Sequence, residues 1–163
     1  MAKYLSPPKS AGLHPILVPC FEAVSTFFLV WFTSLIPKGW IRPLLIGCDM
    51  TKPDQWTVDL LTNDDVLDVD QDPLGKAATV KVKTGEYEIW TRPLFDGTMA
   101  MAMFNKTKNP LEVSANWSEL GIQGSQPVRD LWRRKDLGDL SGAFKAMIDP
   151  HGAVLVNIGR PSE

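Results

Sequence analysis

The chain has 163 residues, 44% of them hydrophobic and 22% charged, and a net charge of −2. That length excludes a complete (β/α)8 barrel, which needs about 250 residues, and the charge argues against a nucleic-acid binder built on a basic stripe. Cys20 and Cys48 form neither a CxxC pair nor a disulfide framework, no zinc spacing occurs, and a core fits at this size without disulfide staples.

Charge is spread unevenly along the chain. Residues 1–48 hold Lys3, Lys9, Lys38 and Arg42 against Glu22, whereas the remainder holds 13 basic and 18 acidic residues. Such asymmetry can mark a membrane-proximal or foreign segment. Residues 1–15 are rich in Pro, Ser, Ala and Gly and show no apolar period, the pattern of a disordered leader. An apolar run follows from Ile16 to Ile36. Pro19 and Glu22 interrupt it and leave 14 uncharged residues from Ala23 to Ile36. A spanning helix wants about 20 residues. The run therefore reads as a core helix, with a membrane or signal-peptide segment and a disordered stretch as the alternatives. The second reading would make the chain secreted or membrane-associated.

Residues 43–50 (PLLIGCDM) are a short apolar run ended by an acid. They have the profile of a strand buried on both faces, as in a parallel sheet. Thr51 is placed to cap a helix with Pro53 in its first turn. Trp56 with Leu60, and Val58 with Leu61, lie at helical spacing on an inner face. Asn63 is placed to cap a second short helix carrying Val66 and Val69, which Pro73 and Gly75 end. A parallel strand needs neighbours reached through crossovers, and the only candidate crossover helix is residues 23–36. The middle of the chain therefore reads as the last βα unit of a larger α/β body.

From Ala77 the apolar period becomes two. Val80 and Val82 alternate with Thr79, Lys81 and Lys83; residues 83–86 (KTGE) make a hairpin turn, and Tyr87 to Arg92 returns. Met99, Met101 and Met103 fall on one face of the next strand and Ala100, Ala102 and Phe104 on the other, which predicts a central strand. Leu111, Val113, Ala115 and Trp117 alternate with polar residues, which predicts one wet face. Val128 to Trp132, Gly142 to Ile148 and Ala153 to Ile158 complete the series. Strands at this spacing indicate an antiparallel sandwich or barrel.

Residues 43–50 (PLLIGCDM), 60–75 (LLTNDDVLDVDQDPLG), 128–138 (VRDLWRRKDLG) and 149–155 (DPHGAVL), taken in order, resemble the C-terminal stretch of α-galactosidases, or melibiases, of glycoside hydrolase family twenty-seven. The resemblance runs from about Arg42 to the end. It departs at Asp70, where the family pattern Asn-Gln-Asp-Pro has its Asn. The fold it implies is mainly β: a C-terminal antiparallel β-sandwich preceded by the last βα unit of an incomplete (β/α)8 barrel. Residues 1–42 would be an unmatched leader with its apolar segment. Residues 43–76 would be the remnant of barrel strand eight and the following helices, and residues 77–163 the sandwich domain.

The resemblance also implies a chemistry. The family cleaves terminal α-linked galactose with retention, which uses a nucleophilic and an acid/base carboxylate about 5–5.5 Å apart. In the family both aspartates lie on earlier barrel strands, the nucleophile in a Lys-x-Asp motif. No such motif precedes Leu44, and Glu22 is the only acid upstream of it. The resemblance therefore carries over no catalytic, cofactor-binding or metal-binding residue and implies no cofactor. This reading makes the chain the C-terminal portion of an enzyme acting on α-galactosides, inactive by itself. The alternative is a non-catalytic β-sandwich module that binds carbohydrate or a partner, membrane-tethered if residues 16–36 are an anchor. Either way, an orphan barrel face bearing Leu44, Leu45, Ile46, Trp56 and Leu60 would favour self-association.

Several residues suggest chemistry but have plainer readings. Asp49 ends a barrel-type strand, where catalytic groups cluster, yet the family pair maps elsewhere and a structural role is favoured. Asp72-Pro73-Leu74-Gly75 is turn chemistry. His151 sits in an Asp-Pro-His-Gly turn without a nucleophile or acid partner, and His14 lies in the leader. Arg133-Arg134-Lys135 is too short for an interaction tail, and the Met stripe is packing. Trp90, Trp117 and Trp132 are candidates for sugar stacking, each with a plausible core position. Asn105-Lys106-Thr107 and Asn116-Trp117-Ser118 fit the N-glycosylation acceptor pattern.

Overall fold

A computed structural model of the chain describes Thr51 and residues 54–159. The expectations for residues 1–50, including the apolar run, the orphan strand, Asp49, His14 and both cysteines, lie outside the described residues. Two short helices come first, α1 (Gln55–Leu61) and α2 (Asp64–Asp70). Asp54, rather than Thr51, caps α1: its Oδ1 accepts from the Thr57 amide at 2.7 Å. Hydrogen bonding from the Thr57 side chain, together with that amide, holds the Asp54 carboxyl below its ordinary range. Asn63 stands at the N-cap position of α2 as the sequence predicts, but its side chain makes no capping bond.

Eight strands follow: β1 (Thr79–Lys83), β2 (Tyr87–Pro93), β3 (Met99–Asn105), β4 (Leu111–Asn116), β5 (Ser125–Asp130), β6 (Lys135–Ser141), β7 (Ala143–Ile148) and β8 (Ala153–Ile158), with a one-turn helix α3 (Trp117–Leu120) after β4. They form a six-stranded sheet in the order β1-β2-β3-β8-β5-β6 and a two-stranded sheet β4-β7. Every pairing is antiparallel.

The period of two divides the large sheet into two apolar faces. Met101 and Met103 of β3, Ile89 of β2 and Val154, Val156 and Ile158 of β8 meet Val113 and Ala115 of β4 and Phe144, Ala146 and Ile148 of β7 in one buried cluster. This is the sandwich core, and it confirms the predicted Met face. The opposite face carries Trp90, Ala100, Ala102, Phe104, Leu131 and Leu155, which cluster with Val66 and Val69 of α2 and with Leu94. The central strand β3 is thus buried on both sides, as its sequence predicts.

Two details depart from the sequence expectations. Trp117 begins α3 rather than ending β4, yet it stays on the inner side, 3% exposed, with Nε1 donating to the Leu140 carbonyl at 3.2 Å. The strand β6 is absent from the predicted series. It is a polar edge strand in which only Leu137 and Leu140 are half-buried. A register shift against β5 and a left-handed Gly138 (φ 84°) break its alternation.

Candidate functional site

The part of the molecule that carries buried charge is the outer face of the large sheet, where the helices dock. Small residues make the docking possible: Ala100 and Ala102 at its centre leave room for Val66 and Val69 of α2. The residues of β2 that share this face are Glu88, Trp90 and Arg92, so a charged residue lies on each side of the tryptophan.

Arg92 is 5% exposed. Burial draws its guanidinium below the ordinary range, while the charges of Asp72 and Asp70 push the other way. Both aspartates are themselves buried. Asp72 has a second task. Its Oδ1 accepts from the Leu74 amide at 3.0 Å and its Oδ2 from the Phe95 amide at 2.8 Å. One carboxylate therefore shapes the turn after α2 and ties it to the β2–β3 hairpin. The Gly75 amide closes that turn onto the Asp72 carbonyl at 3.1 Å, and Gly75 takes φ 60°. The predicted Asp-Pro-Leu-Gly turn is present and joins the helices to the sheet.

Glu88 marks the other end. Burial opposes its charge, but hydrogen bonds from Lys106 (3.1 Å) and Trp90 Nε1 (3.1 Å), with the charges of Lys106 and Lys83, outweigh it. The carboxyl is held below its usual range.

A third set of contacts pins the helix junction to the β5–β6 turn. Asn63 is buried; its Nδ2 donates to the Leu131 carbonyl at 2.9 Å. Arg134 Nη2 donates to the Thr62 carbonyl at 2.7 Å and Arg134 Nε to Asn63 Oδ1 at 3.3 Å. Arg134 takes φ 52°, a left-handed conformation uncommon for a side chain of this type. The Thr62 carbonyl lies just past the end of α1, where a helix presents partial negative charge. Arg129 bridges Asp65 of α2 at 2.9 Å and Asp136 of β6 at 2.9 Å. Asp130, 1% exposed, holds the same turn through the Arg133 amide at 3.1 Å, and burial pushes its carboxyl up.

The residues singled out in the sequence are therefore scattered, and the structure brings few of them together. His151 is an exposed turn residue with φ 54° whose amide donates to the Thr107 carbonyl. Arg133 and Arg134 fasten the β5–β6 turn. Trp90 and Trp117 are buried and Trp132 is half-buried against the docking face. Asn105 is buried and Asn116 exposed. Among the described residues no group of three His, Cys, Asp or Glu side chains could hold a metal ion, and no helix is long and apolar enough to cross a membrane. Neither the Arg134–Asn63 hydrogen bond nor the placing of Asp70 and Asp72 near the Arg92 charge is foretold by the sequence. One signal was available: Arg92 follows Trp90 on the same face of an alternating strand, a position where a charge needs a partner.

This is a two-sheet antiparallel sandwich with α2 packed on the outer face of its larger sheet and the end of α1 tied to the β5–β6 turn through Arg134. Residues 84–158 match the family described as "Alpha galactosidase C-terminal beta sandwich domain". The α-galactosidase of Cyamopsis tetragonoloba is 37% identical over 132 residues, 80% of this chain and 31% of the relative. α-Galactosidase 2 of Arabidopsis thaliana is 33% identical over 141 residues, 85% of this chain and 34% of the relative. Among solved structures, a GH27 β-L-arabinopyranosidase from Geobacillus stearothermophilus superposes with a TM-score of 0.73 at 29% identity, over 85% of this chain and 30% of that one. α-Galactosidase I from Mortierella vinacea gives 0.74 over 96% of this chain and 39% of that one; at 21% identity it speaks for the fold alone. The chain belongs to the α-galactosidase family, GH27, whose C-terminal β-sandwich domain it carries. It spans roughly a third of the length of these two curated relatives.

Proposed function

We propose that this chain supplies the supporting C-terminal domain of a retaining glycosidase acting on terminal α-galactosyl residues, and that it does not turn over substrate by itself. The observation that carries this reading is the use made of the buried acids. Asp72 organises backbone amides, Glu88 is neutralised by lysine, Asp130 holds a turn, and Asp70 lies within reach of the Arg92 charge. Each is committed to structure, whereas retaining hydrolysis needs two carboxylates facing a sugar. In this reading residues 43–76 derive from the end of the barrel, and the sandwich of residues 77–163 holds their helices in place. The purified chain, assayed on an aryl α-galactoside, is expected to match the blank; turnover abolished by a defined point substitution would contradict the proposal.

The non-catalytic sugar-binding reading draws less support. Of the three tryptophans singled out for stacking on a sugar, Trp90 and Trp117 are spent on packing and Trp132 is half-buried against the α2 face. Saturable binding of galactosides in titration calorimetry would revive it.

A further inference from the structure

Two tripeptides in this domain fit the N-linked acceptor pattern, and the fold treats them in opposite ways. In Asn105-Lys106-Thr107 the asparagine is 2% exposed. Its Nδ2 donates to the carbonyls of Asn109 (2.8 Å), Ile148 (3.0 Å) and Asp149 (3.1 Å), and its Oδ1 accepts from the Thr107 amide and hydroxyl at 2.8 Å. This side chain ties the end of β3 to the β7–β8 turn. A sugar on Nδ2 would remove a hydrogen from that set and would need space that buried atoms fill.

In Asn116-Trp117-Ser118 the order of burial is reversed. Trp117, the middle residue, is 3% exposed and anchored by its indole nitrogen. Its neighbours on both sides, Asn116 and Ser118, are exposed. Asn116 ends β4, and its Oδ1 accepts only a long bond from Ser114 Oγ at 3.5 Å. Its Nδ2 has no hydrogen-bond partner among the described residues. Asn116 pairs with Ala143 of β7 on the solvent face of the small sheet, across the sandwich core from the helix-docking face. A glycan there would meet water, and the helices would keep their seat.

We propose that Asn116 is an N-glycosylation site of this domain when the chain enters an N-glycosylating secretory compartment, and that the folded domain has no room for a glycan on Asn105. The co-substrate is an oligosaccharide linked through a diphosphate to a lipid carrier. The Asn116 Nδ2 forms a bond to the anomeric carbon of the first sugar, the bond from that carbon to the diphosphate oxygen breaks, and the lipid diphosphate leaves with its electron pair. The amide gives up one of its two hydrogens as a proton and keeps the other.

The test is translation of the full chain behind a cleavable secretory leader in the presence of microsomes. The expected product is a single mobility shift that enzymatic deglycosylation removes. Asn116→Gln and Ser118→Ala each abolish it, and Asn105→Gln leaves it in place. Deglycosylation of the folded, protease-resistant product in heavy-oxygen water, followed by peptide mapping, must place the label on Asn116 alone. The absence of a shift, a shift that survives Asn116→Gln, or label on Asn105 would overturn the proposal.

Discussion

The two faces of the large sheet bury similar side chains for different ends. The inner face meets the β4-β7 sheet through an apolar cluster, with Met, Val, Ile and Phe interdigitating. The outer face is apolar only in the middle. Its margins carry Arg92 with Asp70 and Asp72, Glu88 with Lys106, and Arg129 with Asp65. Apolar contact is non-directional and supplies stability, while a buried charge accepts few arrangements of its partners. The difference teaches that the inner face holds the domain together and the outer face specifies how the helices sit on it.

That division makes graded predictions. Phe144→Ala empties part of the inner core and should destabilise the chain by about 4 kcal/mol, measured as a lower midpoint in chemical denaturation. Arg92→Leu leaves Asp70 and Asp72 buried beside a lost cation and should cost about 3 kcal/mol. An Arg92→Leu variant as stable as the parent would show that the outer margin does not fasten the helices. The Glu88 margin is more exposed and should matter less: Glu88→Gln should cost about 1 kcal/mol at neutral pH. Because the folded-state carboxyl lies below its ordinary value, its contribution is present above the unfolded pKa and fades as pH falls through the folded one. Parent and Glu88→Gln denaturation curves should therefore converge in acid. A gap that widened on acidification would reverse the assignment.

The inner face was legible in the sequence, and the outer one only in part. Met99, Met101 and Met103 against Ala100, Ala102 and Phe104 announce a strand with two apolar sides, because side chains alternate along a pleated strand. Val66 and Val69 likewise mark the buried side of α2. What alternation cannot show is partnership at a distance. Arg134 and Asn63 stand 71 positions apart, and nothing local to either foretells their bond. Nor did the sequence reveal that Asn63 turns its side chain to Leu131 instead of capping its own helix. The strand β6 escaped because an exposed edge needs few apolar residues, and its Gly138 interrupts the few it has. Two of the four family blocks fall on the turn around Asp72 and the β5–β6 turn, where specific side chains bind backbone groups and cannot be exchanged freely.

The account rests on the sandwich and the docked helix behaving as one unit, and amide hydrogen exchange of the full chain measures this residue by residue. The amides of Leu67 and Gln71, bonded to the Asn63 and Leu67 carbonyls, should exchange as slowly as those of β3 and β8, through global unfolding alone. Exchange of these helix amides at the rate of a frayed terminus, with β3 and β8 still protected, would contradict the account.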